Sequence, residues 1–285
     1  MIHELPLERR TLHGHFSREL APILTVDPGD TIAFGCPNAG WYLDRDDRFE
    51  PRDAELDDGH ALVGPVAVRG ARAGETLAVT IAEVVPAGWG VTFGRDARLD
   101  WTLEDGIGRD EAGRSVELRP FLGVLGMPPP EAGRHPTGPP RLSGGNIDCK
   151  ELVAGSTLFL PIPVDGALFS AGDGHAAQGD GELSGTAIEC PLARAVVRLD
   201  LREDLRLRSP VARVDDAWLA FGFDEDLDLA AEQAAATILD LMERELGIDR
   251  DYALALASVA VDLRVTQIVN GVKGVHAVLR DDAIR

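Results

Sequence analysis

The chain has 285 residues and a formal net charge of −20 at pH 7, from 28 Lys and Arg residues against 48 Asp and Glu residues. A field of this sign repels phosphate backbones and acidic lipid headgroups, which argues against nucleic-acid and membrane-surface partners. There is no run of 18 apolar residues and no apolar segment behind the charged start MIHELPLERR, so we expect a cytoplasmic protein without a signal peptide or spanning helix.

The first half of the chain predicts strands and turns. Residues 23–34 alternate around Asp-Pro-Gly, and residues 62–85 repeat this design around Ala73 and Gly74, which predicts two hairpins in a half-buried sheet. Residues 104–145 are dense in Gly and Pro. This density excludes a continuous helix and predicts irregular structure, either a long ordered loop or an internal boundary.

The second half begins with strands and ends with helices. Short strands with breakers are expected over residues 158–172, and ARAVVRLDLRE (193–203) predicts another strand by alternation. Residues 228–246 are rich in Ala, Leu and Glu and stop at a glycine, which predicts a helix. A second helix is predicted over residues 250–260, followed by a strand over 262–271.

The chemistry concentrates in residues 144–189, a glycine-rich segment with many carboxylates. Asp173 and His175 are two residues apart, as are Asp180 and Glu182, so each pair points to one side if the backbone is extended. Four potential ligands within ten residues suit a divalent metal. The competing interpretation is a set of turns in which Asp side chains accept local backbone N–H bonds.

Other catalytic and binding signatures are missing. Asp180 stands where a phosphate-binding loop needs Lys, and neither Gly-x-Ser-x-Gly nor His-Glu-x-x-His occurs. Three cysteines without a C-x-x-C pair argue against a disulfide framework and a zinc finger. The consecutive residues Cys149, Lys150 and Glu151 cannot converge on one atom, so a thiol mechanism would need partners from elsewhere and is a minor alternative.

Several segments together resemble the acetamidase/formamidase family. They are TVDPGDTI, HALVGPVAVRGARAGETLAV, FLGVLGMPP, GGNIDCKELVAGSTLFLP, VDGALFSAGDGHAAQGDGELSGTAIE and VTQIVNGVKGVHAVL, in order from Thr25 to Leu279. The resemblance implies a single β-rich α+β unit over residues 1–285, with sandwich-like β layers, hairpins and a few helices in the C-terminal part. It also implies hydrolysis of a small uncharged amide, a divalent metal (zinc, with calcium as a second option) and a homo-oligomer.

The resemblance carries over to particular polar residues. They are His60, Asn146, Asp148, Lys150, Asp173, His175, Gln178, Asp180 and Glu182. Residues 37–57 and 104–119 have no clear counterpart in the family. Because loops beside a scaffold usually shape the pocket, these departures bear on the choice of substrate.

Our hypothesis for this site is metal-assisted amide hydrolysis. The predicted metal ligands are His60, Asp148, Asp173 and His175. The predicted catalytic residues are Glu182, Lys150 and Asp180. Glu182 would act as general base and proton shuttle, and Lys150, one of only two lysines, would stabilise the developing oxyanion. Which of Asp173, Asp180 and Glu182 binds metal and which moves protons stays open.

Two alternatives remain at this point. The first is a related metal hydrolase that acts on another C–N compound, such as a urea, a guanidine or a cyclic amide. The second is a non-catalytic β protein in which the Asp- and Gly-rich run holds structural calcium. Loss of turnover in Glu182→Gln with unchanged metal content would favour catalysis over the second alternative.

Overall fold

The structure, a computed structural model, describes residues 1–50 and 52–284. Its strands in chain order are β1 (Ile2–Leu5), β2 (Leu12–His13), β3 (Leu24–Val26), β4 (Thr31–Cys36), β5 (Leu62–Val68), β6 (Thr76–Pro86), β7 (Trp89–Phe93), β8 (Arg98–Glu104), β9 (Ile107–Asp110), β10 (Ser115–Glu117), β11 (Phe121–Gly126), β12 (Pro140–Arg141), β13 (Gly144–Asn146), β14 (Thr157–Pro161), β15 (Phe169–His175), β16 (Glu189–Cys190), β17 (Leu192–Arg202), β18 (Val211–Val214), β19 (Ala217–Asp224), β20 (Val261–Gln267) and β21 (Lys273–Arg280). The helices are a single 3₁₀ turn (Arg9–Thr11), α1 (Leu227–Leu246) and α2 (Arg250–Ala260).

The strands form two sheets. The first has nine strands in the order β1-β4-β17-β6-β14-β18-β19-β21-β20. The second has twelve, with the path β10-β9-β8-β7-β16-β15-β11-β13-β12, and β5 joins it by pairing with β15, β2 and β3. Most neighbours are antiparallel; β1 with β4 and β3 with β5 are the parallel pairs among the named strands.

The main hydrophobic core lies between the two sheets. It combines side chains of the first sheet, such as Ile32, Leu77 and Phe221, with side chains of the second, such as Leu122 and Phe169. A second core lies where α1 covers the other face of the first sheet; its helical members include Ala230, Ala234, Ile238, Leu241 and Met242. The fold is therefore β-rich with sandwich-like layers and late helices, which confirms the predicted fold class.

Helix α1 and its flanks follow the sequence signals closely. The Asp226 side chain caps its first turn by accepting from the backbone N–H groups of Asp228 and Leu229. Gly247 ends the helix in the left-handed conformation, with φ of 65°. The predictions of α2 and of the strand around residues 193–203 are also confirmed. Among the residues described, no helix combines the length and apolar character needed to cross a bilayer.

The two predicted N-terminal hairpins are wrong. Strand β3 pairs with β5 in the second sheet, whereas β4 lies in the first sheet between β1 and β17. In the same way, β5 belongs to the second sheet and β6 to the first. The turns at Asp-Pro-Gly and at Ala73-Gly74 therefore carry the chain from one layer to the other, because a turn signal fixes a change of direction but not which strands pair.

The Gly- and Pro-rich stretch 104–145 is helix-free, as predicted, but it is more regular than expected. It contains β9, β10, β11 and β12. Strand β11 (FLGVLG) is buried along its whole length and pairs with both β13 and β15. Its continuous apolar run lacks the alternation that identifies half-buried strands, which explains why the sequence did not reveal it.

Candidate functional site

Strand β15 supplies the centre of the candidate site. All seven of its residues are buried, including Asp173 and His175. The Nε2 atom of His175 lies 3.3 Å from Oδ1 of Asp173 and 3.3 Å from Oε1 of Glu189. The prediction that Asp173 and His175 act on one side of a strand is therefore matched by their geometry.

Three further carboxylates reach the same place from different elements. Glu189 lies on β16, directly across from His175 in the antiparallel register. Asp148 follows β13, and its Oδ1 is 3.8 Å from His175 Nδ1. Glu182 lies in the connection between β15 and β16 and is 5% exposed. We call these three residues, together with Asp173 and His175, the site cluster.

The carboxylates of the site cluster are incompletely hydrogen-bonded. One buried oxygen of each has no hydrogen-bond partner among the described residues; these atoms are Asp148 Oδ1, Asp173 Oδ1, Glu182 Oε2 and Glu189 Oε2. Burying unpaired anionic oxygens costs several kcal/mol each unless a cation compensates. Four such oxygens in one place indicate a site that is built for a positive charge.

Gly123 on β11 makes the close approach of the carboxylates feasible. A Cβ at this position would lie 2.5 Å from Asp173 Oδ2, 2.8 Å from Asp148 Oδ1 and 2.9 Å from His175 Cε1. Any side chain would therefore push these groups apart. The glycine is required by space at this position, not by its backbone conformation.

Gln178 determines which nitrogen of His175 is free. The Gln178 amide nitrogen donates to the backbone carbonyl of Asp148 at 2.8 Å, so its Oε1 faces His175 Nδ1 at 3.0 Å. Because Oε1 can only accept, Nδ1 carries the proton. Nε2 then lies beside the oxygens of Asp173 and Glu189. Because all three of these atoms are acceptors, a proton or a metal ion must lie between them.

The titration behaviour of the cluster reflects this crowding. Burial opposes a charge on His175, but the carboxylates of Glu189 and Asp173 outweigh it and raise the pKa of His175 well above its ordinary value. Burial also raises the pKa of Asp148 well above its ordinary value, and the Glu182 charge adds to this. Burial raises the pKa of Glu182 to about 7. For Asp173, the charges of His175 and His60 override burial and lower the pKa.

Three of the carboxylates stand on unusual backbone. Asp148, Asp173 and Glu182 have φ of 52°, 59° and 47°, in the left-handed region that side-chain-bearing residues rarely adopt. Each such residue costs on the order of 1–3 kcal/mol and persists where the surroundings fix it. Their concentration in one site is a second, independent sign of function.

A cavity of about 500 Å³ opens onto the cluster. Its walls include Asp173, His175, Glu182 and Glu189, together with the aromatic side chains Tyr42, Trp89 and Phe93. Asn146, Arg45, Arg98 and Asn270 also line it. The carboxylates are thus reachable by a small molecule, and the aromatic rings give the cavity an apolar wall.

His60 lines the same cavity from the connection before β5. Its Nδ1 lies 2.7 Å from Thr137 Oγ1, and its backbone N–H donates to the same oxygen at 2.8 Å. Among the described residues, the side-chain groups close enough to share a metal ion do not include His60. Its assignment as a ligand stays a prediction.

Lys150 and Asp180 lie elsewhere. The Lys150 ammonium pairs with Asp180 Oδ1 at 2.9 Å, and Asp180 Oδ2 pairs with Arg264 at 2.6 Å. Their side chains are 24% and 38% exposed, and neither is among the residues that line the cavity. Asp180 and Glu182 therefore diverge, since Gly181 and Glu182 both have positive φ and the loop is not extended.

The donor set of the site cluster fits a divalent cation. Two groups of three side chains have ligand atoms within 4.8 Å of one another; they are Asp173, His175 and Glu189, and Asp148, His175 and Glu182. Carboxylate oxygen with imidazole nitrogen is a donor set that zinc and related transition metals accept. Because Gln178 engages Nδ1, the group around Nε2, with Asp173 and Glu189, is the better donor set.

Sequence reasoning missed several participants. Glu189 was not among the predicted site residues. Neither was Asn270, whose Nδ2 donates to Asp148 Oδ2 at 2.8 Å. Gly123 lies within the apolar run FLGVLG, which did not indicate a functional residue. The signal that could have found Glu189 is an acidic residue between apolar neighbours in AIEC, where a buried strand position has no solvent to hydrate it.

Comparison with known proteins places these features in a family. Residues 3–112 and 130–279 match the sequence profile of the Acetamidase/Formamidase family. An acetamidase of Mycolicibacterium smegmatis is 25% identical, in a match that covers 60% of this chain and 61% of the relative. A formamidase of Methylophilus methylotrophus is also 25% identical, with 61% of this chain and 60% of the relative covered.

The chain thus spans about three fifths of the length of these two curated relatives. The agreement with a solved structure is more complete. The crystal structure of an acetamidase from Bacillus halodurans is 27% identical and superposes with a TM-score of 0.86, over 98% of this chain and 97% of the other. The resemblance drawn from the sequence motifs is confirmed, and the chain belongs to the Acetamidase/Formamidase family.

Proposed function

We propose that this protein hydrolyses the C–N bond of a small linear amide to a carboxylate and ammonia, with a divalent cation held by the site cluster. The observation that carries the proposal is the convergence of His175 Nε2 with the carboxylates of Asp173 and Glu189 at the wall of a cavity. Family membership and the acetamidase and formamidase relatives support the reaction class.

The cation would be held by Asp173, His175 and Glu189, with Asp148 beside them. Zinc is the proposed metal because a histidine nitrogen is present, and calcium, which prefers oxygen alone, is the second option. When bound, such an ion supplies Lewis-acid activation of the amide carbonyl and of the attacking water. Gln178 accepts from Nδ1 of His175, so Nε2 is the nitrogen that would offer its lone pair to the ion.

Glu182 is the proposed general base. Its side chain lines the cavity, and its Oε2 atom is buried without a hydrogen-bond partner, so it is free to accept a proton. In the reaction, water adds to the carbonyl carbon and Glu182 takes the proton that it releases. The C–N bond then breaks as Glu182 returns this proton to the nitrogen, which leaves as ammonia because an amide anion is a poor leaving group.

The developing negative charge on the carbonyl oxygen needs donors that line the cavity. Asn146 and His60 are placed there, so we assign this role to them. Lys150, the sequence-based candidate, is engaged by Asp180, and we assign Lys150 and Asp180 to an ion pair that supports the 148–151 segment. The cytoplasmic location and the homo-oligomeric state stay predictions.

The size of the cavity bears on the substrate. Cavities of about 300–1,000 Å³ accommodate drug-sized ligands, and this cavity of about 500 Å³ exceeds what formamide or acetamide fills. A linear amide with a longer or aromatic acyl group would contact Trp89 and Phe93. We therefore propose linear amides as the class and leave the acyl group to experiment.

The deciding experiment compares ammonia release from formamide, acetamide, longer linear amides, urea and a cyclic amide, with a metal-stripped sample as control. Glu182→Gln should lower turnover by about 100- to 10,000-fold with metal content and melting temperature unchanged. Glu131→Gln, at an exposed position, is the matched control. No ammonia from any linear amide would refute the substrate class, and release from urea or the cyclic amide alone would favour the related C–N hydrolase. Joint loss of metal and stability in Glu182→Gln would favour a structural calcium site.

A further inference from the structure

A second cluster of polar side chains, two of them buried and one partly exposed, includes the residue that follows Asp148 in the chain. Cys149 follows Asp148 in the chain, and its thiol donates to Oε2 of Glu151 at 3.2 Å. The same Glu151 oxygen is 3.7 Å from Nε2 of His276, which projects from β21. We call Cys149, Glu151 and His276 the thiol cluster. None of the three is among the residues that line the cavity of the site cluster.

The histidine of this cluster is unsatisfied. His276 is 1% exposed, and its Nε2 has no hydrogen-bond partner. Its other nitrogen, Nδ1, lies 2.8 Å from the hydroxyl oxygen of the buried Thr266. Because Thr266 engages Nδ1, the unpartnered Nε2 faces the carboxylate and the thiol. A hydrogen bond on the other ring nitrogen is how proteins commonly orient an imidazole toward a metal.

The distances fit a tetrahedral ion. Zinc binds thiolate sulfur at about 2.3 Å and imidazole nitrogen or carboxylate oxygen at about 2.0–2.2 Å, so adjacent ligand atoms in a tetrahedron lie about 3.3–3.8 Å apart. The two separations from Glu151 Oε2, 3.2 Å to sulfur and 3.7 Å to nitrogen, are close to this range. All three ligand atoms lie within 4.8 Å of one another.

Two of the three proposed ligands, Cys149 and Glu151, would be negatively charged with the ion bound. A thiolate and a carboxylate together neutralise a divalent ion. The second oxygen of Glu151 accepts from Arg264 at 2.6 Å, which leaves Oε2 as the single oxygen directed at the cluster. Arg264 shares its charge between Glu151 and Asp180, and Asp180 also pairs with Lys150, so the guanidinium offsets only part of the Glu151 charge.

We propose that Cys149, Glu151 and His276 bind a second metal ion, distinct from the one at the site cluster, and that this ion is zinc. Thiolate and imidazole ligands favour zinc over calcium or magnesium. Binding releases the thiol proton to solvent and forms bonds from the metal to Sγ, Nε2 and Oε2, with water available for a fourth position. The ion would tie the segment after Asp148 to β21 and so fix the backbone that carries a site-cluster carboxylate.

The test uses the full chain, stripped of metal and reloaded with Co²⁺, whose thiolate bond gives a charge-transfer absorption band in the near ultraviolet. Wild type should show this band, and added Zn²⁺ should remove it. Cys149→Ala should lose the band and about one equivalent of metal per chain. Cys36→Ala is the matched control, because Cys36 is also buried but, among the described residues, belongs to no group of side chains close enough to share a metal ion.

His276→Gln provides a second variant that keeps the thiol; it should weaken or abolish the band even if Cys149→Ala does not fold. Absence of the band in cobalt-loaded wild type would overturn the proposal, since a site of carboxylates and imidazole alone gives none. Retention of the band in Cys149→Ala or His276→Gln would overturn it as well. None of these readouts depends on amide hydrolysis, so the proposed function is tested separately.

Discussion

Asp148 of the site cluster and Cys149 of the thiol cluster are consecutive in the chain, yet the two clusters differ in their access to the cavity and in their charge. The site cluster has four carboxylates around one histidine and opens to a cavity. The thiol cluster has one carboxylate, which Arg264 already contacts, and it is not part of that cavity. Because only the site cluster can be reached through the cavity, an ion there could contact substrate, whereas an ion at the thiol cluster would act on structure alone.

Because of this difference, a bound cation would have a different effect on each cluster. Excess negative charge at a cavity wall attracts a cation and leaves room for a substrate. The thiol cluster does not line the cavity, so an ion bound there would contribute only rigidity to the fold. Variants that affect one cluster and spare the other can therefore test whether the two clusters differ in this way.

Gly123→Ala should have the largest effect, and only on the site cluster. The added Cβ would lie within 3 Å of atoms of Asp173, Asp148 and His175, and these must move. We expect turnover to fall by about 100-fold, because misplacement by about 1 Å has this cost, and metal affinity to fall by about 10- to 100-fold. Titration with zinc against a competing chelator measures the affinity.

Gly88→Ala is the matched control for this variant, because the nearest atom to its added Cβ is 4.0 Å away. It should behave as wild type. The cobalt–thiolate band should survive in both variants. Unchanged metal affinity in Gly123→Ala would mean that the carboxylates need not approach as closely as the structure indicates.

A pH dependence from outside both clusters has an intermediate effect. Burial lowers the pKa of His13 to about 4, so this histidine stays neutral in the folded protein while the unfolded chain gains a proton near pH 6.5. The unfolded state then binds more protons below pH 6.5, and the free energy of unfolding falls as the pH drops. Between pH 6.5 and about pH 5 the loss should be about 2 kcal/mol.

Urea unfolding of the metal-free protein at these two pH values measures the loss. In His13→Gln the difference between the two free energies should shrink by about 2 kcal/mol, whatever the absolute stability of the variant. Equal pH dependence in both proteins would show that His13 is protonated in the fold.

Lys150→Arg should have the smallest effect. Lys150 lies between two members of the thiol cluster in sequence, but its ammonium pairs with Asp180 at a partly exposed position, where an arginine can also pair. We expect stability within about 1 kcal/mol of wild type and turnover within about threefold. A loss of about 100-fold in ammonia release would instead return Lys150 to the oxyanion role that the sequence first suggested.

Local patterns predicted the elements that depend on local interactions. The stop at Gly247 and the alternation in β17 are readable from neighbouring residues. Pairing between strands is set by contacts far apart in the chain, so the turns at residues 27–29 and 73–74 were recognised while their strands were assigned to the wrong partners. Strand β11 has no alternation because both of its faces are buried.

The candidate site divides in the same way. Asp173 and His175 were found because two residues of one strand suffice to place them together. Glu189 joins them only through the pairing of β15 with β16, which the sequence does not show. Asp180 was placed with Glu182 by a spacing argument that assumed extended backbone, and the positive φ values at residues 181 and 182 defeat that assumption.

Three carboxylate residues of the site cluster have left-handed backbone, and there the residue that best suits the backbone differs from the residue that the site needs. Asp148, Asp173 and Glu182 each occupy backbone that glycine would adopt without penalty. Glycine at any of the three positions would relieve the backbone and remove a carboxylate from the site at once. At these three positions a relaxed backbone and a carboxylate in the site therefore exclude each other, so stability gained there would be lost from the proposed function.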